Sequence, residues 1–301
     1  MNIDALLTCL SSPACATTQI STAFIIGMLL FLVASGLSLI FGVLNVTNFA
    51  HGGLYMLGAY FALSTYGVTG NFWVALAIAT LATGIVGIII ERLVISRIYG
   101  ADLLMQLLVC YALTLILDDA VRFIYGSEYK MMGMPDVFAL PPINIAGGYV
   151  PAYYLFMIGA SALAGLVLWF VINRTKFGKI VRALAINPSM VSVLGINTTL
   201  LYAAVFGVGC GLAGLAGGLA APIRTLTPGM GLSFLLDSFI IIVIGGMGSI
   251  GGAFVASILV GFIKAFGAIG FPLFTDGLMF AIMAAVLILK PEGLFGERLT
   301  R

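Results

Sequence analysis

Long apolar stretches alternate with short polar ones along almost the whole chain. A helix needs about 20 mostly apolar residues to cross a hydrocarbon core of roughly 30 Å, and most of these stretches approach that length. The pattern therefore predicts eight or nine membrane-crossing helices. The apolar segments are residues 22–44, 49–66, 71–90, 103–125, 152–172, 200–222, 234–250, 252–269 and 275–289.

Two of these segments allow more than one interpretation. Residues 277–289 would be only about 20 Å long as a helix at 1.5 Å per residue. We expect this segment to recruit residues 273–276, to lie in a thinned bilayer, or to be shielded by its neighbours. Residues 244–253, IGGMGSIGGA, form either a tight turn between two crossings or a break in a re-entrant hairpin. Both versions return the chain to the same side of the membrane.

The composition supports a membrane protein. Hydrophobic residues make up 62% of the chain and charged residues only 8%, whereas a soluble domain carries about 25% charged residues. The 38 glycines suit membrane helices, which must approach closely because lipid supplies no hydrophobic force between them. We expect an all-α membrane protein, a polytopic helical bundle that forms one transmembrane domain over residues 1–301.

The positive charges indicate which loops face the cytoplasm. Nine of the 13 Lys and Arg residues fall in three stretches, which the positive-inside rule assigns to the cytoplasm. Counting crossings between them places the N-terminus outside and the C-terminus in the cytoplasm. Residues 1–19 then form an outer arm, 126–152 an outer loop without regular helix, and 173–200 a cytoplasmic loop. The basic stretches contain Arg92 and Arg97; Arg174, Lys176, Lys179 and Arg182; and Lys290, Arg298 and Arg301.

The N-terminal arm lacks the basic region and the compact apolar run of a cleavable signal peptide, so we expect it to remain in place. It contains Cys9 and Cys15, for which a disulfide and two unpaired thiols are both open. Cys110 and Cys210 lie inside apolar segments, where a free thiol behaves as a small hydrophobe. Together with the single histidine, His51, the cysteines do not form a metal-ligand cluster, so no metal site is expected.

A polar interruption separates the first two apolar segments. Residues 45–53 read NVTNFAHGG. The Gly52 and Gly53 pair permits a sharp backbone turn, and Asn45 and Asn48 offer hydrogen-bond partners to His51. Burial disfavours the charged form of an imidazole, so we expect His51 to be a neutral group that fixes the geometry of a helix break.

The cytoplasmic loop contains signals for two short helices. Asn187 can cap a helix N-terminus, and Pro188 suits the first helical position. Gly195 is a matching stop, because glycine adopts the left-handed conformation without penalty. Helical spacing predicts two apolar stripes, one of Ile180, Ala183 and Leu184 and one of Met190, Val191 and Leu194. Helices this short must pack on something, which is either the membrane surface or the chain's own bundle, or a cytoplasmic partner.

Ionisable side chains inside apolar segments are costly and therefore functional candidates. Asp118 and Arg122, four residues apart, are expected to neutralise one another. Asp237 is expected to open its helix, and Lys264 to extend towards the membrane surface.

The chain lacks catalytic signatures. It has no phosphate-binding loop of the G-x-x-x-x-G-K-[ST] type, so it is not expected to hydrolyse ATP alone. His51 and Ser249 have the residue types of a hydrolase dyad, but GMGSIGG lacks the G-x-S-x-G spacing. We expect no catalytic residues.

Four short motifs carry a family resemblance. NFAHG at 48–52, VLGIN at 193–197, GGMGSIGGA at 245–253 and KPEGLFG at 290–296 resemble the permease subunits of bacterial ABC importers for branched-chain amino acids. Such permeases also serve urea, amides and small carboxylates. The resemblance implies a multi-pass protein of the bacterial inner membrane that works by alternating access.

The resemblance also implies partners and sites. The partners would be a second related permease or a copy of this chain, two cytoplasmic ATPases that bind ATP and Mg, and a periplasmic solute-binding protein. The expected ATPase-docking residues are Arg182, Ala183, Asn187, Pro188 and Gly195. The expected helix-break and translocation-path residues are Asn45, Asn48, Phe49, His51, Gly52, Gly245, Gly246, Gly248 and Gly251. A stand-alone secondary transporter or channel for a small solute is the alternative function.

Overall fold

The structure is a computed structural model that describes residues 3–145 and 147–296. Within that part, the chain forms twelve α-helices and one small β-hairpin. The predicted cytoplasmic cations Arg298 and Arg301 lie outside the described residues. The helices are α1 (Ile3–Ser11), α2 (Pro13–Leu44), α3 (His51–Thr69), α4 (Phe72–Leu93), α5 (Leu103–Tyr125), α6 (Ala152–Arg174), α7 (Lys176–Ile186), α8 (Pro188–Val193), α9 (Thr198–Ala220), α10 (Gly231–Gly245), α11 (Ile250–Gly270) and α12 (Thr275–Leu289).

The predicted helical membrane bundle is confirmed at this level. Among the described residues, five helices are long and apolar enough to cross a membrane: α2, α4 with the short 3₁₀ turn that follows it, α6, α9 and α11. The four remaining apolar segments correspond to α3, α5, α10 and α12, of which α10 and α12 have only 15 residues each. At 1.5 Å per residue these two helices are about 22 Å long, shorter than the bilayer core.

Helix α2 lies at the centre of the bundle. It packs against α6, α9, α10 and α11, and most of its side chains from Ala23 onwards are buried. With 32 residues it is about 48 Å long, so its first turns extend beyond a hydrocarbon core of roughly 30 Å. The predicted N-terminal arm is helical, because α1 and the beginning of α2 occupy it.

Six of the helices, among them α4 and α9, begin with a polar side chain that caps the N-terminus. Asn71 Oδ1 accepts from Trp73 N at 2.9 Å, and Asn197 Oδ1 accepts from Leu200 N at 3.0 Å. Each cap satisfies backbone donors that the first helical turn leaves free. The other capping side chains are those of Asp102, Thr175, Asn187 and Ser249.

The loop between α5 and α6 contains a small hairpin that the sequence did not predict. Strand β1 (Ile143–Ile145) pairs antiparallel with β2 (Gly148–Val150). Gly148 packs against the first turns of α2, at Ala14 and Thr17. The hairpin thereby covers the end of α2, next to the disulfide that joins Cys9 and Cys15. The pairing that the sequence left open is thus formed.

Residues 244–253 form a tight turn between α10 and α11. Ser249 N donates to Gly246 O at 3.0 Å, and both Gly246 and Gly248 have positive φ. The C-terminal KPEGLFG motif packs on this turn, with Leu294 N donating to Ile244 O at 2.8 Å. Two motifs that are far apart in sequence therefore meet at one end of the bundle.

Candidate functional site

The helix break after α2 reaches back into the middle of the bundle. Asn45, with φ of 53°, ends α2, and its backbone N–H donates to Phe41 O. His51, which begins α3, contacts Val33, about three turns or 16 Å before the end of α2 at 1.5 Å per residue. Residues 45–50 therefore run back along α2 as non-helical backbone at the depth of the core.

Local hydrogen bonds satisfy much of this irregular segment. Asn48 is fully buried, and its Oδ1 accepts from Ala50 N at 3.2 Å. Thr114 of α5 donates to Phe49 O at 3.3 Å, and the Phe49 ring lies 5.6 Å from that of Phe239 in α10. Non-helical backbone at membrane depth is tolerated only where protein or an aqueous cavity surrounds it, and here residues 46–48 and Ala50 are buried in protein.

His51 joins α3 to α2. Its side chain is fully buried, and Nε2 lies 3.0 Å from Val33 O. Because a carbonyl oxygen only accepts, Nε2 must carry the proton and donate. Nδ1 is buried without a partner among the described residues, so a second proton there would have no acceptor. A neutral imidazole that fixes the geometry of the break is consistent with this arrangement, but its partner is Val33 O of α2 and not Asn45 or Asn48, as the sequence suggested.

The identity of the donor nitrogen gives a test of this role. Gln places its amide nitrogen near the position of Nε2, whereas Asn reaches only the position of Nδ1 and Leu has no donor. We expect H51Q to stay close to wild type, and H51N and H51L to lose about 0.6–1.7 kcal/mol, the range for hydrogen bonds between membrane helices. Thermal unfolding in detergent measures the difference. Equal stability of H51Q and H51L would contradict the hydrogen-bonding role.

The predicted path residues fall into two separate groups. Asn48, Phe49, His51 and Gly52 lie in the middle of the bundle, where Gly52 packs directly on the backbone of Gly231 at the start of α10. The remaining residues lie at the ends of α2, α10 and α11; of these Gly245 and Gly246 are buried, and Asn45, Gly248 and Gly251 are exposed. Ser249 caps α11 and His51 bonds to α2, so neither is bonded to the other as a hydrolase dyad requires.

The short helices α7 and α8 form with the predicted cap. Asn187 Oδ1 accepts from Met190 N at 3.0 Å, Pro188 is the first residue of α8, and Gly195 has φ of 78°. Arg182 Nη1 donates to Asn173 Oδ1 at 3.4 Å, and Ala183 is exposed. All five residues of the docking prediction are therefore in one exposed, capped element.

The two predicted apolar stripes are wrong in detail. Val181, Leu184 and Val191 are buried against the bundle. Phe177 and Ile180 are partly buried, whereas four other large apolar side chains of this element are more than 60% exposed. We call them the docking face: Ile186, Met190, Val193 and Leu194. The short helices thus have one apolar side towards their own bundle and another that is free in this chain.

A charged cavity lies between α2, α10, α11 and the segment after α9. Its volume is about 190 Å³. Lys264 Nζ of α11 donates to Asp237 Oδ2 of α10 at 2.5 Å, which corrects both expectations for these residues. Asp237 is in the second turn of α10, because that helix begins at Gly231, and Lys264 bonds across to it. The lining residues are Ile26, Leu29, Leu30, Arg224, Ser233, Phe234, Asp237 and Lys264.

The other expected charge pair does not form. Among the described residues, the ion pairs within 4.0 Å are those of Lys264 with Asp237 and of Arg92 with Glu91. The Asp118 carboxylate lies near Gly229 instead. A Cβ built on Gly229 would be 3.8 Å from Asp118 Oδ2. The four-residue spacing to Arg122 was therefore insufficient to predict an ion pair.

Sequence reasoning also missed a polar contact at the end of α4. Glu91 is fully buried and accepts a 2.6 Å hydrogen bond from the Tyr99 hydroxyl. Burial, followed by the bond to Glu91, raises the pKa of Tyr99, so the hydroxyl stays protonated and donates. Glu91 and Tyr99 are eight residues apart on either side of a helix end, and no sequence pattern predicts such a contact. The signal that the sequence did offer was an acidic residue, Glu91, at the end of an apolar segment.

Membrane-length helices, a helix broken at core depth and a charged cavity within the bundle define a polytopic membrane protein of the transporter class. Residues 19–287 match the family model described as the permease component of branched-chain amino acid transport systems. Because that match covers most of the sequence, the chain belongs to this permease family.

Individual relatives agree with the family match. The chain is 29% identical to the high-affinity branched-chain amino acid transport permease BraD of Pseudomonas aeruginosa, over 93% of this chain and 95% of the relative. It is 26% identical to LivH of Escherichia coli K12 over the same shares. It is 28% identical to a probable LivH of Methanocaldococcus jannaschii, over 91% of this chain and 90% of the relative. No solved structure matches the chain.

Proposed function

We propose that this chain is the membrane subunit of an ATP-driven importer and forms part of the translocation path for branched-chain amino acids or a related small solute. The observation that carries the proposal is the family match over residues 19–287, with relatives of nearly equal length named as branched-chain amino acid permeases. The chain works with a second permease subunit, two ATPases that bind ATP and Mg, and a soluble receptor.

The proposed orientation places the N-terminus outside and α7–α8 in the cytoplasm of the bacterial inner membrane. Lys176, Lys179 and Arg182 lie in α7 and Arg174 ends α6, and such clusters of positive charge stay in the cytoplasm. The disulfide between Cys9 and Cys15 supports the same orientation, because disulfides persist in oxidising compartments. The nine helices α2–α6 and α9–α12 then make the crossings, with the 15-residue α10 and α12 shielded by their neighbours.

The proposed mechanism is alternating access. ATP-driven closure of the ATPases moves the docking helices α7 and α8, and the bundle changes the side to which the path opens. The docking assignment of Arg182, Ala183, Asn187, Pro188 and Gly195 is supported by their place in one exposed element. The break at residues 45–50 supplies irregular backbone within the bundle, the feature that transporters use at substrate sites.

Reconstitution separates this function from the alternative. We expect proteoliposomes that contain the permease subunits, the ATPases, the receptor and ATP to accumulate labelled L-leucine. This chain alone, or the complex with a non-hydrolysable ATP analogue, should give no net uptake, because transport depends on ATPase closure. Leucine flux through the chain alone, at a rate that ATP does not change, would support a stand-alone transporter or channel instead.

A further inference from the structure

The ion pair in the charged cavity is partly exposed, which a purely structural ion pair does not need to be. Asp237 and Lys264 are 14% and 24% exposed, so this pair is accessible from the cavity although it lies between helices. Isolated ion pairs contribute little to stability once desolvation is counted, and ionisable groups in membrane helices usually mark a substrate route.

The cavity has both polar and apolar lining residues. Arg224, Ser233, Asp237 and Lys264 contribute the polar groups, whereas Ile26, Leu29 and Leu30 of α2 contribute apolar side chains. At about 190 Å³ it is far larger than the roughly 10–15 Å³ that one water requires. It therefore has room for a small solute with both charged and apolar parts.

Arg224 adds a cation without a matching anion. Its guanidinium carbon lies 4.8 Å from the centre of the Phe234 ring, and its side chain is exposed. Within the described residues, Arg224 has no carboxylate within 4.0 Å. Two cations and one carboxylate line the cavity, so an added carboxylate would be attracted to its mouth. Asp276, whose charge also acts on Asp237, is not among the lining residues.

These observations point to a ligand with three groups. A carboxylate suits Arg224, which binds carboxylates in a forked geometry. An ammonium suits Asp237, whose present partner is the ammonium of Lys264. A short branched hydrocarbon suits the apolar side chains of Ile26, Leu29 and Leu30. Within one small molecule, these are the groups of an apolar α-amino acid.

We propose that Arg224, Asp237 and Lys264 form an amino-acid subsite in the membrane subunit, in which Arg224 and Lys264 hold the ligand carboxylate and Asp237 holds its ammonium. This inference rests on the proposed import function and adds a binding site to it. The subsite lies near the outer ends of α10 and α11 in the proposed orientation, so it receives the amino acid as it leaves the receptor.

Protection of an introduced thiol tests the subsite. Ser233 lines the cavity and is exposed, so S233C should react with a membrane-impermeant methanethiosulfonate reagent. The native cysteines give little background, since Cys9 and Cys15 are paired and Cys110 and Cys210 are buried. In the assembled complex without receptor, we expect L-leucine to protect the S233C thiol, and isoamylamine or isocaproate, which each lack one charged group, to protect far less.

Charge variants connect the protection to the named residues. Loss of a hydrogen bond to a charged group corresponds to about a 10- to 100-fold change in affinity, so R224Q in the S233C background should raise the half-protecting leucine concentration by about that factor. R224K should have a smaller effect. D237N/K264M removes both charges without leaving one unpaired, and it should abolish protection while the complex remains assembled. L232C, on an adjacent exposed residue outside the cavity, is the matched control and should gain no protection.

The outcomes separate the subsite from the import function. Two results would overturn the subsite: equal protection by leucine, isoamylamine and isocaproate, or an unchanged half-protecting concentration in both R224Q and D237N/K264M. ATP-driven leucine uptake in the same preparation would then still support the import function. Leucine-specific protection that R224Q weakens would support the subsite. If it occurred without any ATP-driven uptake by the unmodified complex, the subsite would be supported and the proposed function contradicted.

Discussion

Replacing Gly52 with alanine is expected to prevent the bundle from folding. A Cβ on Gly52 would overlap the carbonyl oxygen of Gly231 and lie 2.9 Å from Leu235 Cβ. The obstacle is backbone, so α3 and α10 must separate at the position where the broken helix begins. Overpacking typically costs about 1–3 kcal/mol even where side chains can adjust, and here they cannot. We expect most of the folded protein recovered in detergent to be lost, as measured by fluorescence-detected size exclusion and thermal unfolding.

Two other glycines of α3, Gly53 and Gly67, provide matched controls for that variant. A Cβ on Gly53 would meet only the Leu117 side chain, at 3.0 Å from its Cδ1, and a leucine can move. A Cβ on Gly67 would meet nothing within 4 Å, and alanine is favoured over glycine in a helix by about 1 kcal/mol. G53A should therefore be mildly destabilised and G67A unchanged or stabilised. A G52A protein as stable as G53A would show that α3 and α10 do not approach as described.

Local signals in the sequence were sufficient to place two of the element boundaries, those at α8 and at the break before α3. Asn187 followed by Pro188, with Gly195 beyond, predicted α8 and its cap, and the structure has both. The polar interruption before His51 predicted a helix break, and a break is present. These predictions succeed because a cap or a turn depends on residues within a few positions of one another.

Features that depend on distant parts of the chain were not predictable from local spacing. Asp237 and Lys264 are 27 residues apart, and which face of α10 meets α11 is decided by packing. The return of residues 45–50 to core depth likewise depends on Val33 accepting from His51. Periodicity also failed for α7 and α8, because it cannot tell a face buried by the chain itself from one left free.

The docking face explains why periodicity was ambiguous there. An amphipathic helix usually buries its one apolar face, but α7 and α8 are apolar on two sides. Val181, Leu184 and Val191 are buried in the bundle, and the docking face is left exposed next to cationic side chains. Clusters of exposed apolar residues mark interaction sites. The proposed occupant is the ATPase subunit, and the membrane surface is the competing one.

Replacing Val193 with aspartate should uncouple ATP hydrolysis from transport. Val193 is 84% exposed, so the variant should fold and insert normally. At an interface, however, the new carboxylate would be buried without a partner, and truncating or unpairing such a charge costs about 2–5 kcal/mol. We expect ATP-driven leucine uptake to fall by about 30-fold or more, since each 1.4 kcal/mol is a factor of ten, together with reduced co-purification of the ATPase subunits.

The neighbouring S192D variant is the matched control for V193D. Ser192 is also exposed, but it is two positions from both Met190 and Leu194, and a two-residue step places side chains on opposite sides of a helix. A carboxylate there adds the same charge to the same short helix without entering the docking face. If the face rests on lipid headgroups, V193D and S192D should reduce uptake equally and leave the ATPases bound. If the ATPases dock there, V193D alone should cause a large loss of ATP-driven uptake and should release the ATPases. Only that result would show that the apolar face itself transmits the ATPase movement to the bundle.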